Sequence, residues 1–197
     1  MEMKWIGTVL LLVGVAAAGS VGAAAQTDVA ASFYGAFNGS TNGNGVAQSP
    51  SNAAGMLIEL RHISNPIVGY EGTYSFNRAN QVYNNGVLAP AAVSANAHEI
   101  TGDWLASVKI ANIRPFGLAG VGLLFNQPSS GQTDTTSSTK PVFVYGLGLD
   151  WGLLPHIGLR LQFRENVYKA PDITTLYSST GAFTHTAEPA LGAYFRF

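Results

Sequence analysis

Three side chains close together in the sequence have the chemistry of a hydrolase site. His62 and Ser64 are two residues apart, and Glu71 follows shortly after Pro66. A serine hydroxyl can attack an ester when a histidine takes its proton and a carboxylate orients that histidine. On a strand, His62 and Ser64 share one face, whereas Glu71 belongs to the opposite phase of the next strand. This mismatch argues against a catalytic triad.

A larger set of charged side chains recurs at alternating positions. Acidic and basic residues occupy one phase of the alternation, and apolar residues occupy the other. Because successive side chains of a strand point to opposite faces, the charged residues would all lie on one surface of a sheet. They are Glu59, Arg61, Glu71, Glu99, Asp103, Lys109, Asp150, Arg160, Arg164, Glu188 and Arg196.

Other chemistry is poorly supported by the composition. The chain has no cysteine, which excludes thiol catalysis, disulfides and cysteine-ligated zinc. The formal net charge is −1 and no long basic run occurs, so nucleic acid is not an expected partner. His98, His156 and His185 are isolated and lack metal-ligand spacing. We expect no cofactor and no metal.

The N-terminal segment is typical of an export signal. Lys4 precedes an apolar run from Trp5 to Ala18, and Ala23-Ala24-Ala25 provides small residues for cleavage. The run is shorter than the roughly 20 residues of a spanning helix. We therefore expect a signal peptide over residues 1–25 and one mature domain over residues 26–197.

The mature sequence predicts an all-β fold, an eight-stranded antiparallel up-and-down transmembrane β-barrel. Only 11% of the residues are charged, yet no second apolar run is long enough for a spanning helix. Short turns alternate with long loops over about 39–53, 78–97, 127–141 and 167–183. Barrels of the bacterial outer membrane have short periplasmic turns, so both termini should be periplasmic. The predicted strands are Val29–Asn38, Ala54–Ser64, Ile67–Asn77, His98–Ile110, Phe116–Asn126, Val142–Trp151, Ile157–Asn166 and Thr184–Phe197.

The direction of the alternation distinguishes two kinds of barrel. A soluble lipocalin-like barrel would turn its apolar residues inward, whereas a membrane barrel turns them outward. The aromatic end of the chain, with Phe195 and Phe197, and the uncharged apolar phase favour the membrane barrel. The segment Phe116–Asn126 is apolar in both phases, so the facing of Val121 and Leu123 stays open.

In a membrane barrel the charged phase lines the lumen. An eight-stranded barrel is only wide enough to be filled by side chains, and charges there need partners. We favour an ion-pair network that fills the lumen; the alternative is a narrow gated pore for ions or small solutes. We expect Arg160 to bridge at least two of four carboxylates. These are Glu59, Glu71, Asp103 and Glu188.

Two sequence segments resemble those of a known family. Pro66–Glu71 with Tyr74–Arg78, and Pro155–Arg160 with Arg164, resemble the third and seventh strands of OmpA-like small outer-membrane β-barrel proteins. The resemblance implies a role in envelope integrity, adhesion or slow diffusion in a Gram-negative-type bacterium. It also implies contact with outer-membrane lipid and lipopolysaccharide. Insertion would use the barrel-assembly machinery, with Phe195 and Phe197 as the assembly signal. We expect a monomer.

A second, narrower resemblance concerns the possible hydrolase site. The segment Arg61–Asn65 resembles the His-x-Ser-Asn segment of outer-membrane lipid A deacylases, which are also eight-stranded barrels. That resemblance implies His62 as the base and Ser64 as the nucleophile. Given the phase of Glu71, we interpret His62 as an interfacial residue. The sequence therefore predicts a structural or surface-interaction barrel rather than an enzyme.

Overall fold

The computed structural model describes residues 25–65 and 67–197, and the expected signal segment lies almost entirely outside them. No helix in these two stretches is long and apolar enough to cross a membrane. The strands are β1 (Gln26–Asn38), β2 (Thr41–Gly43), β3 (Val46–Pro50), β4 (Ala53–Ile63), β5 (Val68–Asn84), β6 (Ala91–Ser107), β7 (Ile113–Pro128), β8 (Ser138–Gly152), β9 (Ile157–Lys169) and β10 (Phe183–Arg196).

Eight long strands form a closed antiparallel barrel. Each pairs with its neighbour in chain order, and β1 closes the ring by pairing with both β4 and β10. Register runs from Asp28 opposite Arg196 to Asn38 opposite Thr186. The two short strands β2 and β3 form a hairpin that extends the sheet beside β5. The predicted eight-stranded up-and-down barrel is confirmed.

The side chains alternate between a lipid-facing wall and a charged lumen. Trp104 and Phe33 are 76% and 74% exposed on the outside of the barrel. Arg61, Arg160 and Arg164 are fully buried inside it. This is the direction of a membrane barrel, because exposed apolar residues on a soluble wall would face water.

The structure shows which residues of β7 face the lipid and which face the lumen, a question that the sequence left open. Val121 and Leu123 point outward, whereas Phe116, Leu118 and Leu124 are buried in the lumen. The lumen is therefore apolar on this side, and the Phe116 ring packs under a guanidinium. The carbon of the Arg61 guanidinium lies 4.0 Å from the centre of that ring.

The strands reach further outward than predicted. β5 and β6 each have 17 residues and remain paired up to Tyr83 opposite Ala91, so most of the predicted 78–97 loop is a hairpin. A membrane needs only about 9–11 residues per strand. The outer ends of β5 and β6 extend beyond the apolar band. There the alternation of lipid-facing apolar residues stops, although backbone pairing continues. The periodicity of lipid-facing residues therefore marks the membrane zone and not the strand end.

Candidate functional site

Arg160 is the centre of an ion-pair cluster in the inner half of the lumen. Its Nε and Nη2 donate to Asp150 at 2.7 and 3.1 Å, and Nη2 also donates to Asp28 at 2.8 Å. Its Nη1 lies 3.4 Å from Glu59 and 3.7 Å from Glu71. One guanidinium thus meets four carboxylates, which is possible because strand alternation from β1, β4, β5, β8 and β9 aims all five side chains inward.

Arg61 completes this inner cluster. Its Nε donates to Glu71 at 2.7 Å and its Nη1 to Asp150 at 3.0 Å. Glu59 is held in addition by Ser32 at 3.1 Å and by Gln162 at 2.9 Å. Such charge-assisted hydrogen bonds supply the pairing that buried charges require. We call these six residues the inner cluster: Asp28, Glu59, Arg61, Glu71, Asp150 and Arg160.

The expectation for Arg160 is met by two of the four predicted carboxylates, Glu59 and Glu71. Its nearest partners differ from those predicted. Asp150 was not among the four, yet it is the direct partner of Arg160 across β8 and β9. Asp28 was missed because β1 alternates weakly in the sequence. The signal that could have identified Asp28 is its phase in β1, which it shares with Ser32 and the buried Tyr34.

Arg164 is the centre of a second cluster in the outer half. Its Nη2 donates to Glu99 at 3.2 Å, and Asn166 donates to the other oxygen of Glu99 at 2.9 Å. Asp103 accepts from Thr101 at 3.0 Å. Glu188 is 3% exposed and its Oε2 has no partner in the part of the chain that the structure describes. We call Glu99, Asp103, Arg164 and Glu188 the outer cluster.

Two predicted lumen residues do not join either cluster. Lys109 is exposed, and its predicted place in the lumen is wrong because β6 ends at Ser107 and the chain turns, with a positive φ at Ala111. Arg196 is partly exposed at the end of β10. It donates to the Tyr194 hydroxyl at 3.2 Å and makes no ion pair within the described residues. Arg114, which is buried near this end, was not predicted.

A small polar cavity lies beside the outer cluster. Glu99, Glu188, Asn126 and Asn166 line it together with other amide and hydroxyl side chains. The centre of a water molecule has about 20 Å³ available there, and one water needs at least 10–15 Å³ by this measure. This cavity therefore admits about one water, and not a row of them.

A segment between β9 and β10, residues 170–182, covers the outer mouth; we call it the lid. Its Ile173 is fully buried and packs with Tyr177, Tyr83, Val46 and Val93 in one apolar cluster. The Tyr83 hydroxyl donates to the carbonyl of Pro171 at 3.0 Å. Burial raises the pKa of Tyr83, so this hydroxyl stays protonated and able to donate.

The lid is attached to every other outer connection. Gln48 of β3 donates to the Pro171 carbonyl at 3.1 Å, and Asn44 donates to the Ser179 carbonyl at 2.7 Å. The Tyr177 hydroxyl donates to the carbonyl of Ala89, in the connection between β5 and β6. The Thr174 hydroxyl donates to the carbonyl of Asp134, in the connection between β7 and β8, at 3.2 Å. An ion pair of 2.9 Å also links Lys140, near the start of β8, to Asp172. The outer mouth is thus closed by a structure built from all four outer connections.

The hydrolase triad is not assembled. Glu71 points into the lumen, where it is bonded to Arg61, and it cannot orient a histidine on the other side of the wall. His62 bonds the hydroxyl of Thr27 through Nδ1 at 2.9 Å and packs against the Tyr70 ring. Ser64 lies beyond the end of β4 and is exposed. His62 occupies the wall position expected of an interfacial residue.

Comparison with known proteins agrees with this architecture. The sequence pattern of the outer membrane protein beta-barrel domain matches residues 8–187. The chain belongs to this family of outer membrane barrels. Membership places it in the outer membrane of a Gram-negative bacterium. No protein of curated function matches the sequence significantly.

Solved structures of small outer membrane barrels share the fold. OprG of Pseudomonas aeruginosa is 12% identical, with a TM-score of 0.61 over 88% of this chain and 96% of that one. The attachment invasion locus protein Ail of Yersinia pestis, solved with the heparin analogue sucrose octasulfate, is 17% identical, with a TM-score of 0.55 over 88% and 99%. Neisserial surface protein A is 13% identical, with a TM-score of 0.56 over 88% and 99%. At these identities the likeness is one of fold.

Proposed function

We propose that this protein is a closed outer-membrane barrel whose function is structural or lies in surface interactions of its outer loops. The observation that carries the proposal is closure of the lumen at two separate levels. The inner cluster fills the barrel with fully buried Arg61 and Arg160, and the lid covers the mouth with buried Ile173. A barrel closed at both levels would stabilise its wall and present its outer connections. The proposal assigns no catalytic residue.

The chemistry of the outer surface limits what it would bind. The tips, residues 39–45, 85–90 and 129–137, contain one charged side chain, Asp134. Val87 at the tip of the β5–β6 hairpin is 86% exposed, and Leu88 and Leu176 are also exposed. A polyanion would need a basic surface, which these tips lack. The proposed partners are therefore neutral surfaces that offer hydroxyl, amide and apolar groups.

The orientation and assembly in the membrane form part of the same proposal. The start of β1 and the end of β10 lie at the end of the barrel with short turns, and the lid lies at the opposite end. This arrangement supports periplasmic termini and an external lid. The side chains of Phe195 and Phe197 point outward at the last strand. They would be available to the barrel-assembly machinery. The apolar wall would contact lipid and lipopolysaccharide, and the closed ring leaves no strand edge that needs a second copy.

Conductance in planar bilayers tests the proposal. Wild-type protein and a variant with residues 171–180 replaced by a short Gly-Ser linker are compared, and shifted gel mobility on heating serves as the folding control. Both should be silent, because the inner cluster remains in both. A combination of the linker with Arg160→Met should conduct. Steady openings of the wild type would instead assign a transport function to the lumen.

A further inference from the structure

The inner half of the lumen holds more bases for each carboxylate than the outer half does. Around the inner cluster, four carboxylates face Arg61 and Arg160, and Arg114 and Arg196 lie near the same end. In the outer cluster, Arg164 is the one base among the described residues that faces Glu99, Asp103 and Glu188. Lys140 is engaged by Asp172 of the lid. If all three carboxylates are ionised, the outer cluster carries a charge of minus two.

Two buried oxygen atoms beside this cavity lack a partner among the residues that the structure describes. They are Glu188 Oε2 and Asn166 Oδ1, and both residues line the cavity and are at most 3% exposed. A buried acceptor left without a donor or a cation costs about 1–3 kcal/mol, and more when it is charged. Glu99 lines the same cavity and is held in place by Arg164 and Asn166. The cavity therefore joins surplus negative charge to free oxygen ligands.

We propose that this cavity binds one Ca²⁺ ion between Glu99 and Glu188, with the Asn166 amide oxygen as a third ligand. Carboxylate, amide and hydroxyl oxygens are the ligands of hard cations. A divalent ion would neutralise the surplus charge, whereas a monovalent ion would leave half of it. Ca²⁺ takes 6–8 oxygen ligands, and the others would come from the amide and hydroxyl side chains that line the cavity and from the one water for which there is space. Mg²⁺ usually keeps several waters and needs more room.

The site is independent of the proposed surface function, because it would stabilise the wall of a silent barrel as well as that of a pore. The nearby alternative is that a proton neutralises Glu188. A second alternative is that Ca²⁺ binds at the surface, at Asp172 or at Glu165, which lies on the outer wall against His185. Each alternative predicts a different response to calcium and to substitution.

Calorimetric titration of Ca²⁺ into the refolded, EDTA-treated mature chain in detergent tests the proposal. We expect one site, weaker binding of Mg²⁺, and a rise of the melting temperature with Ca²⁺. Glu188→Gln should lower the affinity for Ca²⁺ by about tenfold or more, as losing one charged ligand does. Glu165→Gln and Asp172→Asn are matched controls and should bind as wild type does. Heat-shifted gel mobility confirms that each variant is folded.

Several results would overturn the site. These are absence of Ca²⁺ binding to folded wild type, unchanged binding in Glu188→Gln, or loss of binding in Asp172→Asn. A melting temperature that responds to acid but not to Ca²⁺ would assign the neutralising role to a proton. If Glu188→Gln does not fold, Asn166→Ala removes the amide ligand, and the same weakening is expected from it.

Discussion

Replacing Arg160 with methionine should destabilise the barrel strongly. Methionine keeps much of the length of the side chain but removes the cation that meets Asp150 at 2.7 Å and Asp28 at 2.8 Å. Both carboxylates would stay buried, and only Asp150 would keep another guanidinium, that of Arg61 at 3.0 Å. The principal effect is therefore an uncompensated charge at Asp28 and Glu59.

The magnitude follows from the kind of pair that is broken. Adding about 1.5–3 kcal/mol for each charged hydrogen bond of Arg160 would overshoot, because the pairing also offsets a large desolvation penalty. Removal of one partner from a buried ion pair costs about 3–5 kcal/mol. We expect a loss of about 4 kcal/mol, a large part of the roughly 5–15 kcal/mol by which a domain is stable. Urea unfolding in detergent micelles, followed by gel mobility and tryptophan fluorescence, measures it.

A matched control and a double variant make this measurement decisive. Lys169→Met also removes one positive charge, but from the exposed outer side of β9. It should change the free energy of unfolding by less than about 0.5 kcal/mol. The double variant Arg160→Met with Asp28→Asn should lose less than the sum of its parts, by roughly 0.5–3 kcal/mol. An Arg160→Met variant as stable as Lys169→Met would refute the ion-pair account of the lumen.

Three further predictions concern the wall, the last strand and the lid. Gly120→Ala should destabilise the barrel by about 1–3 kcal/mol in urea unfolding, because a Cβ there would overlap Asp103 Oδ1 and the backbone carbonyl oxygen of Gly102. Gly102→Ala is the control and should be neutral, because a Cβ there meets nothing within 4 Å. Deletion of Phe197 should lower the amount of folded barrel in membranes of expressing cells, and Phe183→Ala should not; equal yields would contradict the assembly role. Ile173→Ala should lower the free energy that holds the lid closed by about 2–5 kcal/mol. Chymotrypsin should then cleave the lid of the folded protein faster than in the wild type, and an unchanged rate would show that Ile173 does not hold the lid.

The alternating pattern of the sequence was sufficient to locate the eight long strands and, in most of them, the residues that share a face. Period-two alternation places Glu59 and Arg61 on one face and Met56 and Ile58 on the other, and the structure agrees. The alternation fails as a guide where the two phases of a strand do not differ clearly in polarity. Asp28 was missed for this reason, because small residues such as Ala30 and Ala31 occupy both phases of β1.

Depth within the barrel could not be predicted as well as facing. Depth depends on the register between strands, which sets Asp150 directly opposite Arg160. Lys109 continues the alternation of β6 but falls in the turn, since alternation alone does not show where pairing ends. The lid residues Ile173 and Tyr177 belong to no periodic segment. Their burial results from long-range contacts with Tyr83 and Val46.

Cysteine accessibility tests the closed lumen most directly, because the natural chain contains no cysteine. Thr73 is 4% exposed and its hydroxyl lies 2.7 Å from that of Thr101, its partner on the neighbouring strand β6. Thr73→Cys therefore places a thiol on the lumen side of the wall. Asn85→Cys, at an exposed tip, is the control. With a charged thiol reagent applied to both sides of reconstituted vesicles, the account predicts rapid modification at position 85. It predicts modification at position 73 only after unfolding. Modification of Thr73→Cys in the folded barrel at a rate near that of the control would contradict closure.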